Sequence, residues 1–296
     1  MYADATRLSL TPAVVEALRK PAQGHKYSSG HALVLGGGAA QTGAARLAAR
    51  AALRVGAGVV TLGVPQAALA ECAAQLTAIM LRQIASAAEI REALEDDRIS
   101  ALCLGPGFGV ARAQEVLPAV LATRRPCVLD ADALTALGAL GEAGGGQSGG
   151  LAALLHGDCI LTPHAGEFKR ICPQIAARLA QDDSLATRIA AVRAASADLG
   201  CVVLLKGAQT VIATPDGACS LSDATGESAV PWLATAGAGD VLAGLITGLR
   251  ARGFAPRQAA ETGALLHVAA ARSFGAGLIA EDLPETLPQV LRALGV

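Results

Sequence analysis

The run Ala234-Thr-Ala-Gly-Ala-Gly-Asp-Val-Leu-Ala-Gly-Leu-Ile-Thr-Gly-Leu-Arg250 sets a turn of small residues directly before an apolar helix. Small side chains at Ala236, Gly237, Ala238 and Gly239 let backbone N–H groups close around an anion, and the helix dipole points at the same spot. A phosphate suits that place. Asp240, in the first helical turn, is placed to take a proton from a hydroxyl that attacks phosphorus. A lone Asp there also stabilises a helix start, so this segment alone leaves both roles open.

Other candidates sit at the ends of apolar runs. Thr162-Pro-His-Ala-Gly-Glu-Phe168 carries His164 and Glu167 just past a strand, Asp130-Ala-Asp132 follows a second strand, and Gly105-Pro-Gly-Phe-Gly109 follows a third. Singly they read as a loop or cap histidine, helix N-caps and turns; converging, they would form a crevice at the carboxyl edge of an α/β sheet. Lys206-Gly-Ala-Gln-Thr210 leads from a strand into a hairpin, where a lysine either meets a nucleotide phosphate or is simply solvated. The loop Gly36-Gly-Gly-Ala-Ala-Gln-Thr-Gly43 fails the Gly-x-Gly-x-x-Gly spacing because Gln41 stands at the third position. No acidic residue follows within about 25 positions to hold a ribose, which weakens a nicotinamide-reductase reading.

The elements that must position these residues alternate along the chain. Strands are expected at His31–Leu35, Gly58–Gly63, Ala101–Leu104, Cys127–Leu129, Cys159–Ile160–Leu161 and Val202–Leu205. Between them fall helices at about Gly43–Val55, Ala111–Thr123, after Asp132, Gly166–Ile171 and Ser184–Leu199. Thr11-Pro12 reads as an N-cap opening a short helix to about Lys20. Short Val, Ile and Leu runs without alternation are strands buried on both faces of a parallel sheet. Thr210–Ala213, the Pro215-Asp216-Gly217 turn and Ala218–Leu221 predict an antiparallel hairpin, followed by helices at about Gly239–Arg252, Pro256–Phe274 and Leu283–Leu294. The Gly/Ser/Gln stretch Gly141–Gly150 predicts a mobile surface loop.

Composition bounds the partners. In 296 residues, 52% are hydrophobic and 17% charged, so Ala, Val, Leu and Gly supply a large core and disorder is excluded. A net charge of -1 without basic or acidic blocks argues against nucleic acid or an acidic membrane as partner. Neither a signal peptide nor a membrane-spanning stretch is visible, and seven scattered cysteines fit a reducing cytoplasm better than disulfides or metal pairs, so no metal ligands are expected.

Taken in order, these segments resemble the ADP-dependent NAD(P)H-hydrate dehydratases, a branch of the ribokinase-like superfamily. The likeness runs from His25-Lys-Tyr-Ser-Ser-Gly30 through Gly36–Ala45, Ala57-Gly58, Gly105–Gly107, Leu129–Leu134, Thr162–Phe168 and Lys206–Thr210 to Gly237-Ala-Gly-Asp-Val-Leu-Ala-Gly244. It implies a single domain over residues 1–296: a three-layer αβα sandwich with a mostly parallel central sheet and a C-terminal antiparallel hairpin. By the same resemblance Ala44, Gly107, His164 and Asp240 line the hydrated-dinucleotide site, while Lys206, Gly207, Ala208, Gln209, Thr210 and Gly239 contact the nucleotide. The implied activity is a hydro-lyase reaction on the S epimers of hydrated NADH and NADPH. ADP serves as phosphoryl donor, Mg²⁺ on the phosphates, and Asp240 as base. A homo-oligomer, tetrameric by resemblance, and a separate epimerase are also implied. Ala165, Thr135 and Ala238 depart from the family's usual Pro, Asn and Thr, and Ala238 matches the wider sugar and vitamin kinases. A small-molecule kinase is therefore the first alternative, and a non-catalytic dinucleotide-binding protein the second.

Overall fold

The computed structural model describes residues 5–143 and 154–296. Its strands are β1 (Thr6–Arg7), β2 (His31–Leu35), β3 (Val59–Val64), β4 (Met80–Gln83), β5 (Ile99–Leu104), β6 (Cys127–Leu129), β7 (Cys159–Leu161), β8 (Val202–Leu205), β9 (Gln209–Ala213) and β10 (Cys219–Asp223). They form a ten-stranded sheet in the order β1-β10-β9-β8-β7-β6-β5-β2-β3-β4. Every neighbouring pair is parallel except the two that involve β9, which runs antiparallel to both β8 and β10. The expected hairpin is thus present, and it continues the sheet.

Helices cover both faces, which is why the central strands β2, β3, β5, β6, β7 and β8 are almost wholly apolar. Ala32 and Val34 of β2 enter one core with helices α1 (Pro12–Leu18), α2 (Gly43–Arg54) and α3 (Gln66–Ala73). Leu33 and Leu35 enter the other with α4 (Ala87–Ala93), α5 (Val110–Ala122), α6 (Ala131–Ala143), α7 (Ala165–Ile171), α8 (Pro173–Leu179) and α9 (Leu185–Leu199). The C-terminal helices α10 (Ala238–Ala251), α11 (Pro256–Phe274) and α12 (Asp282–Ala293) return to the first face and complete the three layers. Thr11 caps α1 through its side chain, with Pro12 in the first turn.

Several elements depart from the sequence reading. The edge strands β1 and β4 were not expected, because exposed or half-exposed residues such as Arg7, Arg82 and Gln83 break the apolar signature. The short helices α3, α4 and α8 also went unread. Gly141 to Ala143 finish α6 and are not loop, while the rest of the stretch to Gly150 lies outside the described residues. Among the described residues no helix is long and apolar enough to cross a membrane.

One contact governs where α10 lies. A Cβ on Gly244 would fall 2.1 Å from the Ala48 carbonyl oxygen of α2, and one on Gly248 would fall 2.5 Å from that of Ala52. The two backbones therefore touch at small residues. Gly244→Ala should destabilise the fold by about 3 kcal/mol, at the upper end for overpacking. Gly43→Ala, in the first turn of α2 with open space around its Cβ position, should be neutral or stabilise by up to about 1 kcal/mol. Urea midpoints of the two variants check this pair; equal midpoints would overturn it.

Candidate active site

The chain leaves β2 toward β3 on one side and resumes at β5 on the other, so a crevice opens at the carboxyl ends of β2 and β5. The Gly-rich segments line it together. A Cβ on Gly37 would lie 1.9 Å from the Gly107 carbonyl oxygen, and one on Gly107 would lie 3.3 Å from the Ala44 Cβ. Ala44 and Gly107 are therefore neighbours across the loops. Glu71 braces the first loop: its carboxylate accepts the Ala40 N–H at 2.7 Å and the Thr42 hydroxyl. It is the first acidic residue after the glycines, and it serves the loop backbone.

The ends of β6, β7 and β8 bring charges together. Lys206, immediately after β8, donates its backbone N–H to the Pro163 carbonyl at 2.8 Å. With its backbone so tied, its Nζ reaches Asp130 Oδ1 at 2.6 Å and stands 3.7 Å from Glu167 Oε2. Asp130 and Glu167 are both buried. Asp132 turns the other way and accepts the Gly109 N–H at 2.8 Å. Between these aspartates Ala131 holds φ at 48°, a left-handed conformation unusual for a residue with a Cβ. His164 is the N-cap of α7: its Nδ1 accepts N–H groups of Gly166 and Glu167, and Glu167 accepts the His164 N–H at 2.7 Å. The cap reading of His164 is thus correct, and its ring remains exposed at the rim of the same cluster.

Helix α10 begins beside them. Gly237 is its N-cap at φ 88°, which a glycine adopts without strain. The Ala238 N–H is bonded to the Thr235 carbonyl at 3.4 Å. Of the four small residues read as an anion hole, then, Ala238 has its amide engaged. The amides of Gly239 and of Asp240 fall in the first turn, where helix geometry provides no partner. A Cβ on Gly239 would stand 3.2 Å from Lys206 Nζ and 3.9 Å from Asp130 Oδ2. Gly239, Lys206 and Asp130 hence meet at one point. Burial first, then the carboxylates of Asp130, Glu167 and Asp132, push the Asp240 carboxyl up to about 6, against the opposing pull of Lys206.

The Lys206–Thr210 turn is closed by the Thr210 hydroxyl, which donates to the Gly207 carbonyl at 2.9 Å, and its Gly207 and Ala208 face solvent. Gln209 and Thr210 already belong to β9. The His25–Gly30 segment is at the opposite end of the sheet, where a Cβ on Gly58 would strike the Lys26 carbonyl; it packs the entry to β2 and β3. Sequence reading passed over His267 of α11. Its imidazole is buried beside the Ala238 backbone, and burial pushes its pKa down to about 4, so it backs the helix start as a neutral ring. A single histidine inside an apolar helix carries no signal of that role.

A mostly parallel sheet between helical layers, with a glycine-led helix start facing Lys206 and clustered carboxylates, makes a ribokinase-like α/β fold. The family model described as NAD(P)H-hydrate dehydratase matches residues 32–291, and the chain belongs to that family. It is 37% identical to the ADP-dependent (S)-NAD(P)H-hydrate dehydratase of Neisseria meningitidis over 88% of this chain and 84% of that one. It is 40% identical to the bifunctional NAD(P)H-hydrate repair enzyme of Moorella thermoacetica, covering 93% of this chain and 52% of that one. The chain thus spans about half the length of the bifunctional relatives it matches. The crystal structure of the ADP/ATP-dependent NAD(P)H-hydrate dehydratase from Bacillus subtilis, co-crystallised with ATP and Mg²⁺, superposes with a TM-score of 0.77 at 28% identity over 99% of both chains.

Lys206 opposes the rise of the Asp240 carboxyl. In Lys206→Met the Asp240 carboxyl should titrate above 6, by about one unit or more, as expected on losing a nearby opposite charge. Carboxyl ¹³C shifts followed against pH provide the readout. An unchanged midpoint would mean that Lys206 does not act on Asp240.

Proposed function

We propose that this chain returns the S-epimer hydrates of NADH and NADPH to the reduced dinucleotides, with ADP as phosphoryl donor. The observation that carries the proposal is Asp240, its carboxyl lifted to about 6, in the first turn of a helix whose Gly239 adjoins Lys206. Ala44, Gly107 and His164 border the dinucleotide in this reading. Lys206, Gly207, Ala208, Gln209, Thr210 and Gly239 border the ADP, whose terminal phosphate rests at the start of α10.

The substrate hydroxyl is on the ring carbon next to the nicotinamide nitrogen. Asp240 removes its proton while the oxygen bonds to the terminal phosphorus and AMP departs. The ring-nitrogen lone pair then breaks the carbon–oxygen bond and expels inorganic phosphate. Loss of a proton from the neighbouring carbon restores the dihydropyridine. The balance is hydrate plus ADP giving dinucleotide, AMP and phosphate. A carboxylate with pKa about 6 is a stronger base than an ordinary aspartate and is still mostly ionised at pH 7.

Mg²⁺ belongs to the same proposal. The carboxylates grouped around a single lysine are hard oxygen donors in excess, which fits an ion that shares phosphate oxygens. Asp130 and Glu167, which face Lys206, would hold it, and it would neutralise phosphate charge. A cytoplasmic setting suits the seven buried free thiols. A homo-oligomer, and an epimerase that interconverts the hydrates, complete the reading.

Asp240→Asn should fold and bind ADP yet regenerate NADH about 100-fold more slowly or worse, the usual scale for a lost general base. The wild-type kcat/KM should fall about tenfold per pH unit below the Asp240 pKa of about 6, because protonation removes the base. A folded variant keeping more than roughly a tenth of the activity would refute the assignment. ADP should also support turnover better than ATP in the absorbance assay for NADH. Free phosphate should accumulate with no phosphorylated dinucleotide; a stable phosphate ester would instead identify a kinase.

A further inference from the structure

At the amino end of the sheet, remote from the charged cluster, the first residues of β6 and β7 are both cysteines and pair directly in register, Cys127 with Cys159. Their sulfurs are 3.4 Å apart. His156 sits three residues before Cys159, in a turn closed by the Cys159 N–H to the His156 carbonyl at 2.9 Å. The two Sγ atoms and one imidazole nitrogen all lie within 4.8 Å of one another. All three residues are at least nine-tenths buried, at 1%, 0% and 5% exposure. His156 Nε2 is buried with no hydrogen-bond partner among the described residues, an arrangement that costs free energy unless something engages the ring.

We propose that Cys127, Cys159 and His156 form a binding site for one thiophilic divalent cation of the zinc type. Zinc with Zn–S bonds of about 2.3 Å and tetrahedral angles separates two sulfurs by roughly 3.8 Å and a sulfur from a nitrogen by roughly 3.5 Å. The observed sulfur separation is a few tenths of an ångström from that. Thiolate and imidazole ligands select zinc over magnesium or calcium. Two thiolates and a neutral imidazole cancel a dication, so the occupied site is neutral, as its burial demands. Arg250, which approaches from the end of α10 and donates to Asp158 at 2.7 Å, brings a positive charge that favours the thiolate of Cys127. Binding releases the two thiol protons to solvent, so affinity rises with pH. The ion would clip the turn at His156 to the starts of β6 and β7. About 10 Å of strand separates it from Asp130 at the far end of β6, and it takes no part in the reaction proposed above.

The test uses the full chain, reduced and stripped of metal, titrated anaerobically with Co²⁺ alone. The expected result is one equivalent bound, with tetrahedral d–d bands and a sulfur-to-cobalt charge-transfer band, both abolished by one equivalent of Zn²⁺. Cys127→Ser, Cys159→Ser and His156→Gln should each weaken Co²⁺ binding about 10-fold or more. Cys219→Ala, which alters a buried thiol on β10, should not. His156→Gln removes a ligand without emptying a packed position, and circular dichroism reports whether it folds. Absence of a charge-transfer band would overturn the site, as would unchanged affinity in a folded His156→Gln. Metal-treated protein then exposed to dioxygen as oxidant should keep its metal; conversion to a Cys127–Cys159 disulfide, seen as a mass about 2 Da lower, would likewise overturn the site.

Discussion

The approach of α10 to α2 sets the geometry on which the site depends. Gly244 and Gly248 remove the side chains that would otherwise hold the helices apart, and Ala48 and Ala52 present bare backbone in return. The result is a helix lodged over the middle strands, with its amino end level with the carboxyl ends of β2, β5 and β6. A wider contact would lift Gly239 away from Lys206. The dipole of α10, the first-turn amides and Asp240 are all delivered by this one piece of packing.

Charge is the second organising influence. Asp130, Asp132 and Glu167 act on Asp240 across a small volume, and Lys206 pairs with Asp130 and Glu167, the two that are most buried. Burial first, and then that imbalance, keep the Asp240 proton affinity above that of a free aspartate. His267 supports the same region from behind: it stays neutral and adds no charge beside Ala238 at the start of the helix. In the reaction proposed above, phosphoryl transfer either ends at a stable acceptor or is followed by expulsion. The acceptor decides which, since only a hydroxyl beside an electron-rich nitrogen makes its phosphate leave at once.

Some residues carry two roles, and the structure separates them. His164 caps α7 through Nδ1 while its ring stays exposed at the rim of the charged cluster. The glycines after β2 form a tight turn into α2 and also allow Gly37 to touch Gly107. Such economy follows from parallel strands. Each strand ends on the same edge, where the next helix must begin, and the turn that starts the helix faces the crevice.

Much of this was readable from residues alone. Buried parallel strands show as unbroken apolar runs, and small residues before an apolar helix mark an amide-lined helix start, because both signals are local in the chain. The order of the Gly-rich and acidic segments was enough to indicate the family. Other features required the folded chain. The edge strand β4 hides because half-exposed residues blur its pattern. The Lys206–Asp130 pair joins residues 76 positions apart, and the roles of Glu71, His267 and the Cys127–Cys159–His156 cluster likewise appear only once the elements are assembled. Sequence spacing encodes what neighbours along the chain do to each other. Which distant side chains share a few ångströms, and therefore which proton, phosphate or metal they can hold, is decided by the order of strands in the sheet and by how closely the helices pack upon it.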